Sequence, residues 1–266
     1  MKVVLFCGGR GTRIREFSER VPKPLIPVGY RPIIWHLMKY YAHFGHRDFV
    51  LALGYRADAI KSFFLEYNEA ISNDFTMHGC GGEVRLASSD MDDWTITFVD
   101  TGIDSNIGER LMALRPHLEG EEAFLANYSD GLTDLDLDAY VGGALETGAV
   151  ATFLAVKPPL SYHLVQTADC GKVTGMSPIS SADLWINGGF FVLRQEIFDY
   201  IGRGEELVQE PFHRLLEEQR LRAVNFDGFW APMDTFKEWQ RLEDLNAKGN
   251  APWEVWKEER QKVAAQ

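Results

Sequence analysis

Apolar and polar positions along the chain follow two periods. Residues 2–7 are a short apolar run that stops at Gly8 and Gly9, which predicts a buried strand. Residues 31–44 put Ile33, Ile34, Leu37, Met38, Tyr41 and Phe44 on one helical stripe, with Pro32 suited to a first turn. Residues 48–53 read as the next strand, stopped by Gly54, and 56–71 as a helix with Ile60, Phe63, Phe64 and Tyr67 on one face. Strands at 95–99 and 123–128, a helix at 136–147 and a strand at 150–156 continue the alternation. This order predicts an α/β fold, a mostly parallel, Rossmann-like three-layer sheet covered on both faces. In such sheets ligands bind beyond the carboxyl ends of the strands. The loops at 8–13, 54, 100–110 and 129–133 are therefore the places to look for chemistry.

The second half is less regular. Residues 164–167 and 172–176, split by Asp169, Cys170 and Gly171, predict a hairpin. Residues 185–193 predict a strand with Gly188 and Gly189 in its middle, where a missing Cβ permits close backbone approach. Helices are expected at 205–219 and 235–247. With no repeat, low-complexity tract or long linker, one domain with an inserted β-rich subdomain fits better than two separable domains.

Composition narrows the function. The 266 residues are 45% hydrophobic, enough for a sizeable core. Three scattered cysteines without a CxxC pair argue against a disulfide framework or a zinc site. The first apolar run is too short for a signal peptide and nothing reaches transmembrane length, so a soluble, cytoplasmic protein is expected. A net charge of −12 disfavours nucleic acid and anionic membrane as partners. Against that background Lys2, Arg10, Arg13 and Arg15 all precede the first acidic residue, Glu16, which suggests a local polyanion site. The histidines lack ligand spacing, and His43, His46, His78 and Cys80 are not read as a metal centre.

The glycine-rich loop carries the strongest signal. Gly8-Gly9-Arg10-Gly11-Thr12-Arg13 follows a predicted strand, and successive N–H groups without Cβ crowding can wrap phosphate oxygens. The GK[ST] ending of a P-loop is absent, and Ile14 stands where a dinucleotide fingerprint needs its third glycine. What fits is GGxGTR followed by Pro22-Lys23-Pro24. With PKPLIPVGYRPIIWH, DTGIDSNIGERL, YSDGLTDLD, INGGFFVL, GFWAPMDT and KGNAPWEVW in order, the chain resembles the sugar-phosphate nucleotidyltransferases, and among them the glucose-1-phosphate cytidylyltransferases, from Met1 to about Trp256.

The resemblance implies transfer of a nucleotidyl group, cytidylyl from CTP, to a sugar 1-phosphate such as glucose 1-phosphate or a modified analogue. It implies a nucleotide-binding half at about 1–135, an acceptor-binding half at about 136–234 and a C-terminal helical segment at about 235–266. Arg13, Lys23 and Asp130 are the expected catalytic residues. Gly8, Gly9, Gly11, Thr12, Arg13, Thr101, Gly102, Gly108 and Arg110 are expected at the nucleotide. Tyr162, His163, Asn187, Gly188 and Lys172 are expected at the acceptor, and Asp130 with Asp234 at a Mg²⁺ ion. From the residues alone, Asp130 also reads as a turn aspartate and Asp234 as a helix N-cap. A homo-oligomer is implied as well.

Two features of the acceptor half, and one near the nucleotide, depart from the family pattern. A Glu-Lys-Pro is expected shortly before the Asn-Gly-Gly stretch, but residues 175–181 carry no lysine, leaving Lys172 as the nearest cation. A glycine expected after the aromatic residue at the hairpin start is His163. Both fall in the acceptor half and predict an acceptor other than plain glucose 1-phosphate: a modified sugar, heptose, pseudosugar or phosphonate. Glu109 replaces the second glycine of the GGRL pattern. The alternatives are the same chemistry with dTTP, UTP, ATP or GTP, and a non-catalytic regulator that binds nucleotide or sugar phosphate. Mg²⁺-dependent pyrophosphate release separates enzyme from regulator.

Overall fold

The structure is a computed structural model and describes residues 1–9, 21–91, 93–159 and 162–257. The main sheet is built from β1 (Lys2–Phe6), β2 (Asp48–Leu53), β3 (Thr95–Asp100), β4 (Ala123–Tyr128), β5 (Ala151–Val156), β6 (Ile186–Asn187 and Phe191–Arg194) and β7 (Leu221–Phe226). Their spatial order is β7–β5–β6–β4–β1–β2–β3. The β4–β1–β2–β3 block is parallel throughout, with Val3 opposite both Phe49 and Leu125. β6 runs antiparallel to both β4 and β5.

Side chains alternate across the pleat and so divide the interior into two layers. Val3, Leu5, Phe49, Leu51 and Leu125 face one layer, with α1 (Ile33–His43) and α4 (Leu137–Glu146) above them. Val4, Phe6, Val50, Ala52, Phe124 and Ala126 face the other, under α3 (Ile107–Leu114) and α5 (Glu210–Glu217). The chain crosses back to the first layer with α6 (Phe236–Ala247) and the buried Trp253 and Trp256. No described helix is long and apolar enough to cross a membrane.

Several boundaries differ from the periodic reading. The helix expected over 56–71 is α2 (Ala57–Leu65), followed by a short 3-10 turn at Glu69–Ile71 and a hairpin of Phe75–Met77 with Val84–Leu86. The strand expected over 185–193 breaks at Gly188–Phe190, where Gly189 (φ +79°) and Phe190 (φ +50°) adopt left-handed backbone. A Cβ on Gly189 would lie 2.5 Å from Asn127 Oδ1, so the glycine is needed for both conformation and space. The helix expected over 205–219 starts only at Glu210, because residues 202–209 form a loop with bonds of its own. The hairpin at 164–176 is present as His163–Thr167 paired with Val173–Pro178, a ribbon standing out from the main sheet.

Candidate active site

A cleft of about 370 Å³ opens at the carboxyl ends of β1 and β4, where the topology predicts a site. Its described lining includes Gly8, Gly9, Lys23, Arg110, Asp130 and Asp234 from the sequence-based expectations. Gly11, Thr12 and Arg13 lie outside the described residues.

Lys23 starts a single 3-10 turn, Lys23–Leu25, held between Pro22 and Pro24, whose rings restrict φ on both sides. Asp130 follows β4 directly. The chain then forms a short strand, Gly131–Thr133, which pairs antiparallel with Trp230–Pro232. Gly131 is opposite Pro232, and Met233 N–H donates to Asp130 O at 2.9 Å, so Asp234 is carried next to Asp130 from 104 positions away. Both carboxylates meet the Lys23 ammonium. Nζ donates to Asp130 Oδ2 in a very short contact and to Asp234 Oδ1 at 2.6 Å. The three side chains are only 13%, 24% and 34% exposed. Burial on its own lowers the ammonium pKa, but the two carboxylates outweigh it and hold Lys23 above its ordinary value. Lys23 therefore stays charged.

Asp234 is not the cap of the helix behind it. Thr235 is the N-cap, and Thr235 and Glu238 form a reciprocal capping box. Glu238 also accepts from Asp234 N–H at 2.8 Å, leaving the Asp234 carboxylate turned to Lys23. Two carboxylates this close suit a hard cation such as Mg²⁺. No group of three or more His, Cys, Asp or Glu among the described residues could hold a metal alone. The donor set fits an ion that completes its shell with phosphate oxygens and water.

Arg110 lines the same cleft, but its guanidinium is turned inward. It donates to Leu53 O at 3.1 Å, Thr101 Oγ1 at 2.7 Å, Gly8 O at 3.2 Å and Ile103 O at 3.3 Å. These acceptors belong to the segments leaving β1, β2 and β3, so one side chain ties three strand ends together. Thr101 Oγ1 in turn donates to Leu53 O at 2.7 Å. Gly8 is required here for packing: a Cβ would lie 2.0 Å from an Arg110 nitrogen. Gly102 has φ +93° in the following turn. Gly108 permits contact with the loop at 205, where a Cβ would lie 2.2 Å from Glu205 O. Glu109, the departure from the family pattern, completes a capping box with Asn106 at the start of α3.

The acceptor residues expected from sequence are not gathered in this cleft. Tyr162, His163 and Lys172 are exposed on or beside the ribbon, and Tyr162 lines a separate hollow with Pro159, Pro232 and α6. Asn187 accepts from Gly189 N–H at 2.9 Å, and Gly188 O accepts from Trp230 Nε1–H at 3.0 Å. A cation that lies just past the end of the lysine-free stretch is Lys157, after β5. It bonds Ala182 O at 3.2 Å and Asp183 at 3.3 Å and lies 4.1 Å from the Trp185 ring.

Some lining residues carried no sequence signal. Cys7 is buried, and burial pushes its thiol up to about 12, which makes it a packed, protonated group and not a nucleophile. Tyr128 is pushed up to about 12 by burial and by the charges of Glu206 and Asp130. Glu206 itself stands against the first turn of α3 and also lines the cleft.

Residues 2–244 match the family model described as nucleotidyl transferase. The chain is 37% identical over 258 residues to the glucose-1-phosphate cytidylyltransferases of Salmonella typhi and of Salmonella typhimurium, covering 96% of this chain and all of each relative. HddC from Yersinia pseudotuberculosis shares the fold, with a TM-score of 0.64 at 17% identity, over 91% of this chain and 98% of that one. Lys23, the carboxylate pair and the strand-end cleft thus sit in a chain that belongs to the nucleotidyl transferase family.

Proposed function

We propose that this protein transfers the cytidylyl group of CTP to a sugar 1-phosphate, giving a CDP-sugar and pyrophosphate. The observation that carries the proposal is the convergence of Lys23, Asp130 and Asp234, from three distant segments, in one half-buried cluster at the strand ends. Nucleotidyl transferases generally use a divalent metal. Here Asp130 and Asp234 are the residues to hold Mg²⁺, which when bound supplies charge to the phosphate oxygens at the reacting centre.

The reaction needs no protein nucleophile. A phosphate oxygen of the sugar 1-phosphate forms a bond to the α-phosphorus, and the bond from that phosphorus to the β-phosphate oxygen breaks. Pyrophosphate leaves with the electron pair. The attacking phosphate is largely ionised at neutral pH, so no general base has to be found. The protein's task is positioning and charge neutralisation. Lys23 sits beside both carboxylates on a proline-framed turn and presents its permanent charge to the α-phosphate. Arg110 fixes the strand ends that form the floor. Arg13 is assigned to the β- and γ-phosphates on its place after the glycine loop.

The acceptor is the less defined half. The absence of a lysine from residues 175–181 favours a sugar 1-phosphate other than plain glucose 1-phosphate. Pyrophosphate release with Mg²⁺, measured for CTP, UTP, dTTP, ATP and GTP against a panel of sugar 1-phosphates, tests the whole reading. CTP is expected to give the highest kcat/KM among nucleotides, with a modified sugar above glucose 1-phosphate. Preference for glucose 1-phosphate would remove the altered-acceptor reading, and no release with any pair would remove catalysis.

A further inference from the structure

We propose that Glu206 is the residue that selects the nucleobase, by accepting a hydrogen bond from the exocyclic amino group of cytosine. The inference rests on the cytidylyl reading above and adds to it a residue for base choice.

Three buried side-chain polar atoms among the described residues have no hydrogen-bond partner: Trp35 Nε1, Asn127 Nδ2 and Glu206 Oε1. Only Glu206 belongs to the lining of the active-site cleft. Its other oxygen, Oε2, accepts from Ile107 N–H at 3.2 Å, at the first residue of α3. One oxygen is thus committed to the helix end, and the other is buried without a donor. A buried acceptor left unpaired is costly enough to need an explanation, and a ligand donor supplies one.

The loop holding Glu206 is fastened at Gly204 and Glu205. Asn106 Nδ2 donates to Gly204 O at 2.9 Å. Glu205 accepts from Gly202 N–H at 2.7 Å and from Arg214 at 2.6 Å. Leu207 is fully buried, and Gly108 lets the Glu205 carbonyl approach α3 closely. These bonds are also why residues 205–209 do not join the helix that the periodicity predicts. The carboxylate is therefore held in place before any ligand arrives, as selective recognition requires.

The surroundings suit a base and not a phosphate. Ile107 and Tyr128 stand beside Glu206, and Phe6 and Ile103 add to the apolar lining of the cleft. A fixed carboxylate repels phosphate, whereas Lys23, Asp130 and Asp234 approach from segments packed into the opposite core layer. A nucleotide placing its phosphates at Lys23 has its base free to reach across the strand ends towards Glu206. Cytosine offers an amino donor at its 4-position, and a carboxylate accepts from that group. Uracil has a carbonyl oxygen there, which faces Glu206 acceptor to acceptor. A site built around one ligand N–H discriminates strongly against the analogue lacking it.

The test is the discrimination between CTP and UTP, read as kcat/KM for pyrophosphate release and as Kd for each nucleotide with Mg²⁺ and no acceptor. Glu206→Gln keeps an oxygen for Ile107 N–H and turns an NH₂ group to the cleft. We expect its CTP-to-UTP ratio to fall at least about tenfold in both measurements, with Tm unchanged. Glu206→Ala, which also loses the contact to α3, is expected to lose discrimination and some stability. A CTP-to-UTP ratio unchanged in Glu206→Gln would overturn the inference, because a purely structural carboxylate predicts that result. A wild-type protein that prefers UTP would overturn it while leaving nucleotidyl transfer intact. A wild-type protein that binds neither nucleotide would overturn both.

Discussion

His36 gives the fold a pH dependence that can be worked from its contacts. It lies buried in α1, with Nε2–H donating to Val28 O at 2.9 Å and Nδ1 accepting from Trp253 Nε1–H at 3.2 Å. Both ring nitrogens are thereby used in the neutral form. Burial, assisted by the nearby charges of Lys257 and Arg31, lowers its pKa from 6.5 to about 4. The unfolded chain binds a proton near pH 6.5 and the folded chain only near pH 4, so stability rises with pH across that window. From the two values, acidification removes about 2 kcal/mol by about pH 5 and about 3 kcal/mol below about pH 4. Urea unfolding at about pH 7.5, 6 and 5, compared with His36→Phe, isolates this contribution from the carboxylates and the other histidines. The variant is expected to be less stable at neutral pH, having lost two hydrogen bonds, but to lose about 2 kcal/mol less on acidification. Equal slopes in wild type and variant would refute the assignment.

Three further substitutions probe the site. Gly8→Ala places a methyl 2.0 Å from an Arg110 nitrogen and must displace the guanidinium; a loss of about 2 kcal/mol in urea unfolding and a lower kcat/KM are expected, and unchanged values would show that the strand-end tie is dispensable. Thr235→Ala removes the cap of α6 and should cost about 1 kcal/mol, seen as a fall of about 2–4 °C in Tm. Asp234→Asn leaves Lys23 paired with Asp130 but takes away half of the proposed metal ligands; pyrophosphate release at fixed Mg²⁺ should fall by about 100-fold or more with little change in Tm.

Much of the site could be read from residue order because local chemistry set it. A strand ending at Gly8, a lysine between Pro22 and Pro24 and an aspartate at the end of β4 are short-range features, and the resemblance joined Asp234 to them. What the chain pattern did not reveal depends on tertiary contacts. Arg110 was expected at the nucleotide, yet four protein acceptors from three strand ends claim its guanidinium. The apolar spacing that extends a helix back to 205 says nothing of Arg214 and Gly202 holding Glu205. The Asn106–Glu109 capping box was visible as Asn-x-x-Glu, a helix-start signal hidden by the glycine-rich family pattern around it. At Gly188 and Gly189 the missing Cβ atoms make room for Val156 and Asn127 of this same chain, and the left-handed Phe190 that breaks the strand has no signature of its own.

The most direct test of the central claim compares wild type with Lys23→Met in CTP- and sugar-1-phosphate-dependent release of pyrophosphate. The wild type is expected to release one pyrophosphate per CDP-sugar formed, only with a divalent metal. Lys23→Met is expected to lose about 100-fold or more in kcat, while its fold persists because methionine fills the buried stem. A Lys23→Met protein that turns over at the wild-type rate would contradict the assignment of the Lys23, Asp130 and Asp234 cluster as the reacting centre.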